Sequence, residues 1–554
     1  MRKLIPAAAY LLLVTLLGFF LMPGHTYLQS DTQIYAPILE RLHDRTLLAR
    51  DPVATRPHVA FTVYDEVAVF LRRLTGAELQ TVLVAQQLLY RFLGTLGVYL
   101  TATAVGMAPP AAVLTSAIFG LGATIVGPAV LTLEYEPVPR GFAILLILLA
   151  IGLAAHGRDF AAGAAASLAF LYHPPTTAPF WVVYFALTLW PSETKTMARR
   201  ITGLAPLMAA VVVLFVFSRM QPGAPGAQDF FSRISPEHEQ IQRLRASYNW
   251  VSTWIGVWLW QYLALSAVAA LALWRVFRRL PEDLRWLLCG LPVTGLLSVP
   301  ISYIFLEGMK WSLIPQYQPA RAVLFVTATA VLAAVLAAYH EAEANRPWLS
   351  FLWLLPAYAV PVAPRLQDAF LVPRKLAVTA LAAALSALAF WAVAQRRRWA
   401  PAPLALAAVL PFYLIPGWAG TVNYPSLHKP DLDSLSTWAR LETQPDSVFL
   451  FPDAGRDLSP GIFRARAKRA LYVDWKSGGQ VNYHRAFAEE WWERWNAVVV
   501  PGFRIPKIRE YFEREIDFIV LKPQNRIPGV VPAYSNPSYV VYAVPELLGL
   551  LRFQ

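Results

Sequence analysis

The sequence predicts a polytopic α-helical membrane protein of about thirteen spans, followed by a small extracytoplasmic α/β domain. Three observations predict it. The 554 residues are 56% hydrophobic and only 15% charged, against about 45–50% and about 25% in soluble domains. Apolar runs separated by short polar breaks occupy residues 5–417. Beyond Gly420 the texture changes to short strand-like runs between helical ones.

The runs place spans near 5–22, 81–105, 109–131, 140–155, 160–172, 177–190, 201–218, 250–273, 286–305, 321–339, 347–362, 375–394 and 400–417. The first follows Met1-Arg2-Lys3 and lacks a small-x-small cleavage site, so it reads as an uncleaved helix. The fifth and sixth are divided at His173-Pro174-Pro175, because proline removes a backbone donor and restricts the residue before it.

Alternating from a cytoplasmic N-terminus puts Arg158, Lys195, Arg199, Arg200, Arg275, Arg278, Arg279, Arg285, Arg346 and Arg396–Arg398 in inside loops. The short outside loops hold only Arg365 and Arg374, with Arg140 and Lys375 at their margins. That is the asymmetry the positive-inside rule predicts, and it places residues 421–554 outside the cytoplasm. Residues 1–420 then form the transmembrane domain and 421–554 the second domain.

Two outside loops are long, 23–80 and 219–249, as functional loops tend to be. In the first, Ile34, Ile38 and Leu42 recur at helical spacing, predicting an amphipathic helix on the membrane surface; Val67, Phe70, Leu71 and Leu74 repeat the pattern. In the C-terminal domain Leu432–Leu441 and Ala486–Trp495 read as helices. Val448–Phe451, Ala470–Val473, Val498–Val500, Phe518–Leu521 and Tyr539–Val544 read as strands. Phe463–Arg469 alternates apolar and basic residues, predicting a strand with one cationic face, suited to anionic headgroups or to a solvated edge.

Several function classes are excluded. The net charge of +13 lies in loop clusters that orient spans, which argues against nucleic acid as a partner. A single cysteine, Cys289, permits no intrachain disulfide. No glycine-rich phosphate loop follows a strand candidate, and Gly478-Gly479 lacks the rest of a dinucleotide fingerprint, so no nucleotide cofactor is expected.

The residues able to carry chemistry gather at outer span ends. Asp31, just past the first span, can cap the helix containing Ile34, ligate a divalent cation or act as a general base. Glu134 and Glu136 end the third run, where acids are costly to bury unless paired or coordinating. Asp65-Glu66, near His58, reads as the solvated start of a helix. His173 stands at a helix break, either bonded to a neighbouring carbonyl or facing a phosphate or sugar hydroxyl. Arg321, at the mouth of the tenth span, either snorkels or grips a lipid phosphate.

This layout resembles the GT-C class of membrane glycosyltransferases, in a bacterial branch with an oligosaccharyltransferase-like plan. The likeness lies in the uncleaved first span, the acid near the start of a long first outer loop, the second-loop acidic pair and the terminal α/β domain. It implies that Asp31 is the catalytic residue and that Asp31 with Glu134 holds a divalent cation, Mg or Mn. With their places at outer span ends, His173, Arg321 and Glu136 are then expected to bind substrate. The partners implied are a polyprenyl-phosphate-linked sugar and membrane lipids, with transfer to an acceptor on the outer face. The oligosaccharyltransferase signature Trp-Trp-Asp-Tyr-Gly is absent; Val473-Asp474-Trp475-Lys476-Ser477-Gly478-Gly479 and Trp491-Trp492-Glu493 share its letters but not its order, which argues against glycosylation of peptide asparagine. Two other readings stand beside this one: a transporter or flippase of a lipid-linked glycan, and a non-catalytic glycan-binding scaffold. A transporter would carry charges in mid-span, and only Arg91 is so placed.

Overall fold

The computed structural model describes residues 4–56, 61–125, 130–192, 195–220, 232–254, 256–397, 400–415, 417–418 and 429–551. The N-terminal basic pair, His58, Arg398 and the expected boundary at 420/421 lie outside them.

A helix occupies each expected apolar run. Among the described residues, five helices are long and apolar enough to cross a membrane: Met197–Met220, Trp258–Arg279, Glu282–Gly308, Leu313–Glu343 and Pro373–Ala394. Shorter apolar helices include Ala7–Phe20, Pro139–Ala155 and Asp159–Tyr172. Met208, Val212 and Phe215 stand exposed along Met197–Met220, as side chains facing lipid do.

The third run departs from its expectation. Its helix, Pro109–Gly120, ends early, and β1 (Thr124–Ile125) pairs antiparallel with β2 (Val130–Leu131). Gly122 takes a left-handed φ of 76° there, which turns the chain out of the helix. Helix Pro139–Ala155, which opens on Pro139 and Arg140, lies tightly along Leu79–Ala104. A Cβ at Gly97 would strike the Leu148 carbonyl, and one at Gly152 would strike the Gly97 carbonyl, so only glycine permits this approach.

The C-terminal sheet holds five strands in the order β4-β3-β5-β7-β6. These are β3 (Val448–Leu450), β4 (Ala470–Leu471), β5 (Phe518–Leu521), β6 (Tyr534–Ser535) and β7 (Val540–Ala543). β3 runs parallel to β4 and β5, while β7 is antiparallel to β5 and β6. Residues 498–500 end a helix rather than forming a strand. The two-residue side-chain period divides the sheet's faces. Phe449, Val520 and Val541 join the core shared with the helical bundle; Val448, Leu450, Ile519 and Leu521 face a second core.

That second core includes Ile34 and Ile38. The helix Thr32–His43 therefore does not lie apolar face down on a membrane surface; the C-terminal sheet layer covers that face. Phe463–Arg469 is also not a strand. Ser459–Ala467 is helical, with Pro460 in the first turn and Arg464 and Arg466 in the last, an arrangement that suits the helix dipole. Its basic side chains turn inward to partners: Arg464 to Asp474, Arg466 to Asp433 and Lys468 to Glu40.

Candidate functional site

Pro37 lies inside the helix Thr32–His43 and has no N–H, so the carbonyl of Gln33 lacks its helical donor. Arg464 Nη2 supplies one at 2.9 Å, and Arg464 Nη1 grips Asp474 Oδ1 at 2.9 Å. One buried guanidinium thereby ties the first loop to the C-terminal sheet. Asp474 accepts the backbone N–H groups of Lys476 at 3.1 Å and Ser477 at 3.3 Å. Arg245, from the helix Pro236–Arg245, lies 4.7 Å from the centre of the Trp475 ring and donates to the carbonyls of Trp475 and Lys476. Lys476 is thus delivered to the end of the first loop.

There Lys476 Nζ meets Asp31 Oδ1 at 2.6 Å and Ser30 Oγ at 2.9 Å. Arg140 reaches the other Asp31 oxygen at 2.5 Å and bonds Glu134 Oε1 through Nε at 2.5 Å. Glu134 can stand there because the neighbouring residue is Gly141, where a Cβ would come 2.7 Å from that of Glu134. Arg91, the one mid-run charge, donates to the carbonyls of Gly24 at 2.7 Å and Glu134 at 2.8 Å. It is a structural brace for this corner.

These groups line a cavity of about 300 Å³. Asp31, Glu134, Arg140, His173, Arg245, Arg321 and Lys476 form its charged and polar wall, with Tyr35, Tyr248 and Tyr483. Leu131, Ile144, Leu324 and Phe325 also line it. The cavity therefore offers both charged and apolar groups to a ligand.

The structure brings four of the five expected site residues to this cavity. Asp31 gives no capping bond to its helix; both its oxygens serve ion pairs, which corrects the capping expectation. Burial would raise its pKa, but the charges and hydrogen bonds of Lys476 and Arg140 outweigh that and hold it well below the usual carboxylate range. His173 Nδ1 accepts from Thr176 N at 3.2 Å and Thr176 Oγ1 at 2.9 Å, capping the helix Pro174–Leu189. Burial, with the charges of Arg140 and Arg321, pushes it down to about 3, so the ring is neutral. Arg321 lies 4.8 Å from the centre of the Tyr248 ring, and its Nε is buried with no hydrogen-bond partner among the described residues. It faces the cavity and does not snorkel away.

Glu136 is the exception. It is buried and absent from the cavity wall, accepting from Ser30 N at 2.7 Å and Thr32 Oγ1 at 2.5 Å. It anchors the start of the helix Thr32–His43, the task expected of Asp31.

The residues present do not fit a divalent cation. Oxygens of Asp31 and Glu134 that would have to converge on a metal already face Arg140 and Lys476. Among the described residues no three His, Cys, Asp or Glu side chains gather as a metal site. Fixed cations stand where the metal was expected.

Sequence reasoning missed Arg140, Lys476 and Arg245 as site residues. Arg140 looked like a boundary charge. Lys476 lay in a segment noted for its letters, with nothing local to pair it with Asp31.

Residues 430–498 match DUF6798, a domain of unknown function. No curated protein matches the chain. Among solved structures, the chain is similar to the crystal structure of ArnT from Cupriavidus metallidurans in the apo state. Identity is 14% over 99% of this chain and 98% of that one, with a TM-score of 0.43.

Proposed function

We propose that the chain is a glycosyltransferase of the outer face of a bacterial cytoplasmic membrane, moving a sugar from a polyprenyl-phosphate donor to an acceptor hydroxyl. The observation that carries this reading is the cavity's mixed lining: Asp31 between Arg140 and Lys476, Arg321 with its buried Nε unpartnered among the described residues, and apolar side chains beside these charges. A donor with an anionic head and a hydrocarbon tail matches both kinds of lining. Lipid-phosphate sugars need no nucleotide site, in keeping with the sequence.

In this reading Arg321 and the cations around Asp31 stabilise the departing phosphate as charge develops on it. Asp31 takes the acceptor proton, and attack opposite the phosphate inverts the anomeric carbon. Neutral His173, whose Nδ1 accepts from Thr176, carries its proton on Nε2 and can donate to a sugar or phosphate oxygen. No step is assigned to a metal.

The test is transfer from a polyprenyl-phosphate sugar by the purified full-length chain in proteoliposomes. Asp31→Asn is expected to fold normally and lose roughly 10²-fold or more of its rate, the range for a general base. Transfer at the wild-type rate by this variant would remove Asp31 from the reaction. Movement of the lipid across the bilayer without transfer would favour the flippase reading. The side of action is tested separately: reporters fused after Arg398 and after Tyr424 are expected on opposite sides of the membrane, and one shared side would overturn the topology.

A further inference from the structure

The two cations on Asp31 differ in what each would lose by leaving. Arg140 also bonds Glu134 through Nε and Nη2, so it has a second carboxylate whatever happens at Asp31. Lys476 Nζ has only Asp31 Oδ1 and Ser30 Oγ as hydrogen-bond partners among the described residues. The Lys476 backbone is held independently, its N–H by Asp474 and its carbonyl by Arg245. Asp474 is itself locked by Arg464. A fixed backbone with an ammonium that has a single carboxylate partner among the described residues, on a flexible four-carbon stem, is a group that can change acceptors without moving the fold.

We propose that Lys476 is an exchange ligand: it rests on Asp31 until a lipid phosphate enters the cavity, then passes to that phosphate and uncovers Asp31 for the acceptor hydroxyl. The proposal rests on the donor class inferred above. Exchange replaces one ammonium–carboxylate pair by one ammonium–phosphate pair, while Arg140 still bonds both Asp31 and Glu134, so neither carboxylate is left without a cationic partner. It also answers a difficulty. A carboxylate gripped by two cations is a poor base, and losing one of them restores basicity at the moment the donor is in place. The bond changes then balance. The anomeric carbon–oxygen bond to phosphate breaks with its electron pair on the phosphate oxygen, beside Lys476. The acceptor oxygen bonds the anomeric carbon, and its proton goes to Asp31.

The test is equilibrium binding of a long-chain polyprenyl monophosphate to the full-length chain in phosphatidylcholine nanodiscs, with polyprenol and inorganic phosphate as parallel probes. Lys476→Met is expected to weaken polyprenyl phosphate binding roughly tenfold, the size of one charge-assisted contact, and Lys476→Arg to restore most of it. Asp31→Asn is expected to tighten binding several-fold, because Lys476 is then uncommitted. A tightening that came only from removing one negative charge would persist without Lys476, so the double variant decides. With Lys476→Met added to Asp31→Asn, the tightening is expected to vanish. Inorganic phosphate is expected to follow the same order at lower affinity, and polyprenol to be indifferent to all variants.

Tightening that survives in the double variant, or no tightening in Asp31→Asn, would overturn the exchange while wild-type binding left the donor reading intact. A wild-type chain that does not distinguish polyprenyl phosphate from polyprenol would overturn both.

Discussion

Asp31 and Asp65 are carboxylates of the same loop, and the fold drives them in opposite directions. Lys476 and Arg140 hold Asp31 low, whereas burial, reinforced by Glu66, pushes Asp65 up to about 7. An aspartate in the unfolded chain titrates near 4. Between about 4 and 7 the folded chain therefore keeps a proton that the unfolded chain has lost, and the stability this group contributes falls as pH rises through that window. Asp65→Asn is expected to flatten that decline: its thermal midpoint should exceed wild type at pH 8 and match it at pH 4. Equal differences at both pH values would show that Asp65 is charged in the native state. The same contrast marks what could be read from sequence. Asp31, Glu134, His173 and Arg321 were legible because each breaks an apolar pattern at a span end. The Asp31 cap and the Asp65 solvation were misread because both depend on what packs against them, namely Lys476 in one case and the buried environment of the helix Tyr64–Thr75 in the other. Glu136 had the signature of a site acid but serves two backbone N–H groups and a hydroxyl of the first loop.

At the scale of elements, apolar runs located the helices because hydrophobicity is a local property. Close approaches were not visible in it. Gly97 and Gly152 let Pro139–Ala155 lie against Leu79–Ala104, and Gly141 leaves room for Glu134, so three glycines set where Arg140 emerges. Gly141→Leu is expected to push Glu134 off Arg140 and lower stability by about 1–3 kcal/mol, the usual cost of overpacking. Gly308→Ala, where a Cβ would meet nothing within 4 Å, is the matched control and is expected to leave the melting temperature unchanged. A melting temperature for Gly141→Leu equal to wild type would mean that the helix start can yield. The segment 463–469 shows the limit of pattern reading. Alternating basic residues suit a strand with one charged face, yet the same residues fit the last turn of a helix when Ser459 and Pro460 precede them. The amphipathic helix of the first loop was placed correctly in the chain, but periodicity reports an apolar face without saying whether lipid or protein covers it.

Over the whole molecule, the first loop and the C-terminal sheet are joined by ion pairs in addition to the shared core. Lys468 and Arg72 both meet Glu40, and Arg50 meets Asp517 and Glu515. Arg464 is the buried one, fully enclosed with Asp474. Arg464→Met strands the carboxylate of Asp474 and the carbonyl of Gln33, and is expected to cost about 3–5 kcal/mol as a broken buried pair. Faster proteolysis within residues 430–551 at unchanged helix content would be the sign that the sheet has come away; cleavage at the wild-type rate would show that the apolar contacts suffice. Composition points to a sheet-bearing C-terminal segment, but the seam that joins it to the first loop is not visible there, because its partners are hundreds of residues apart. Asp31 and Lys476 are separated by 445 positions along the chain. A ribosome therefore delivers Asp31 and Arg140 into the membrane long before the lysine that completes the corner exists. On the proposed function, activity is expected only once translation has passed residue 476 and the sheet has closed over the first loop, so a messenger cut short before that point is expected to direct synthesis of an inert protein.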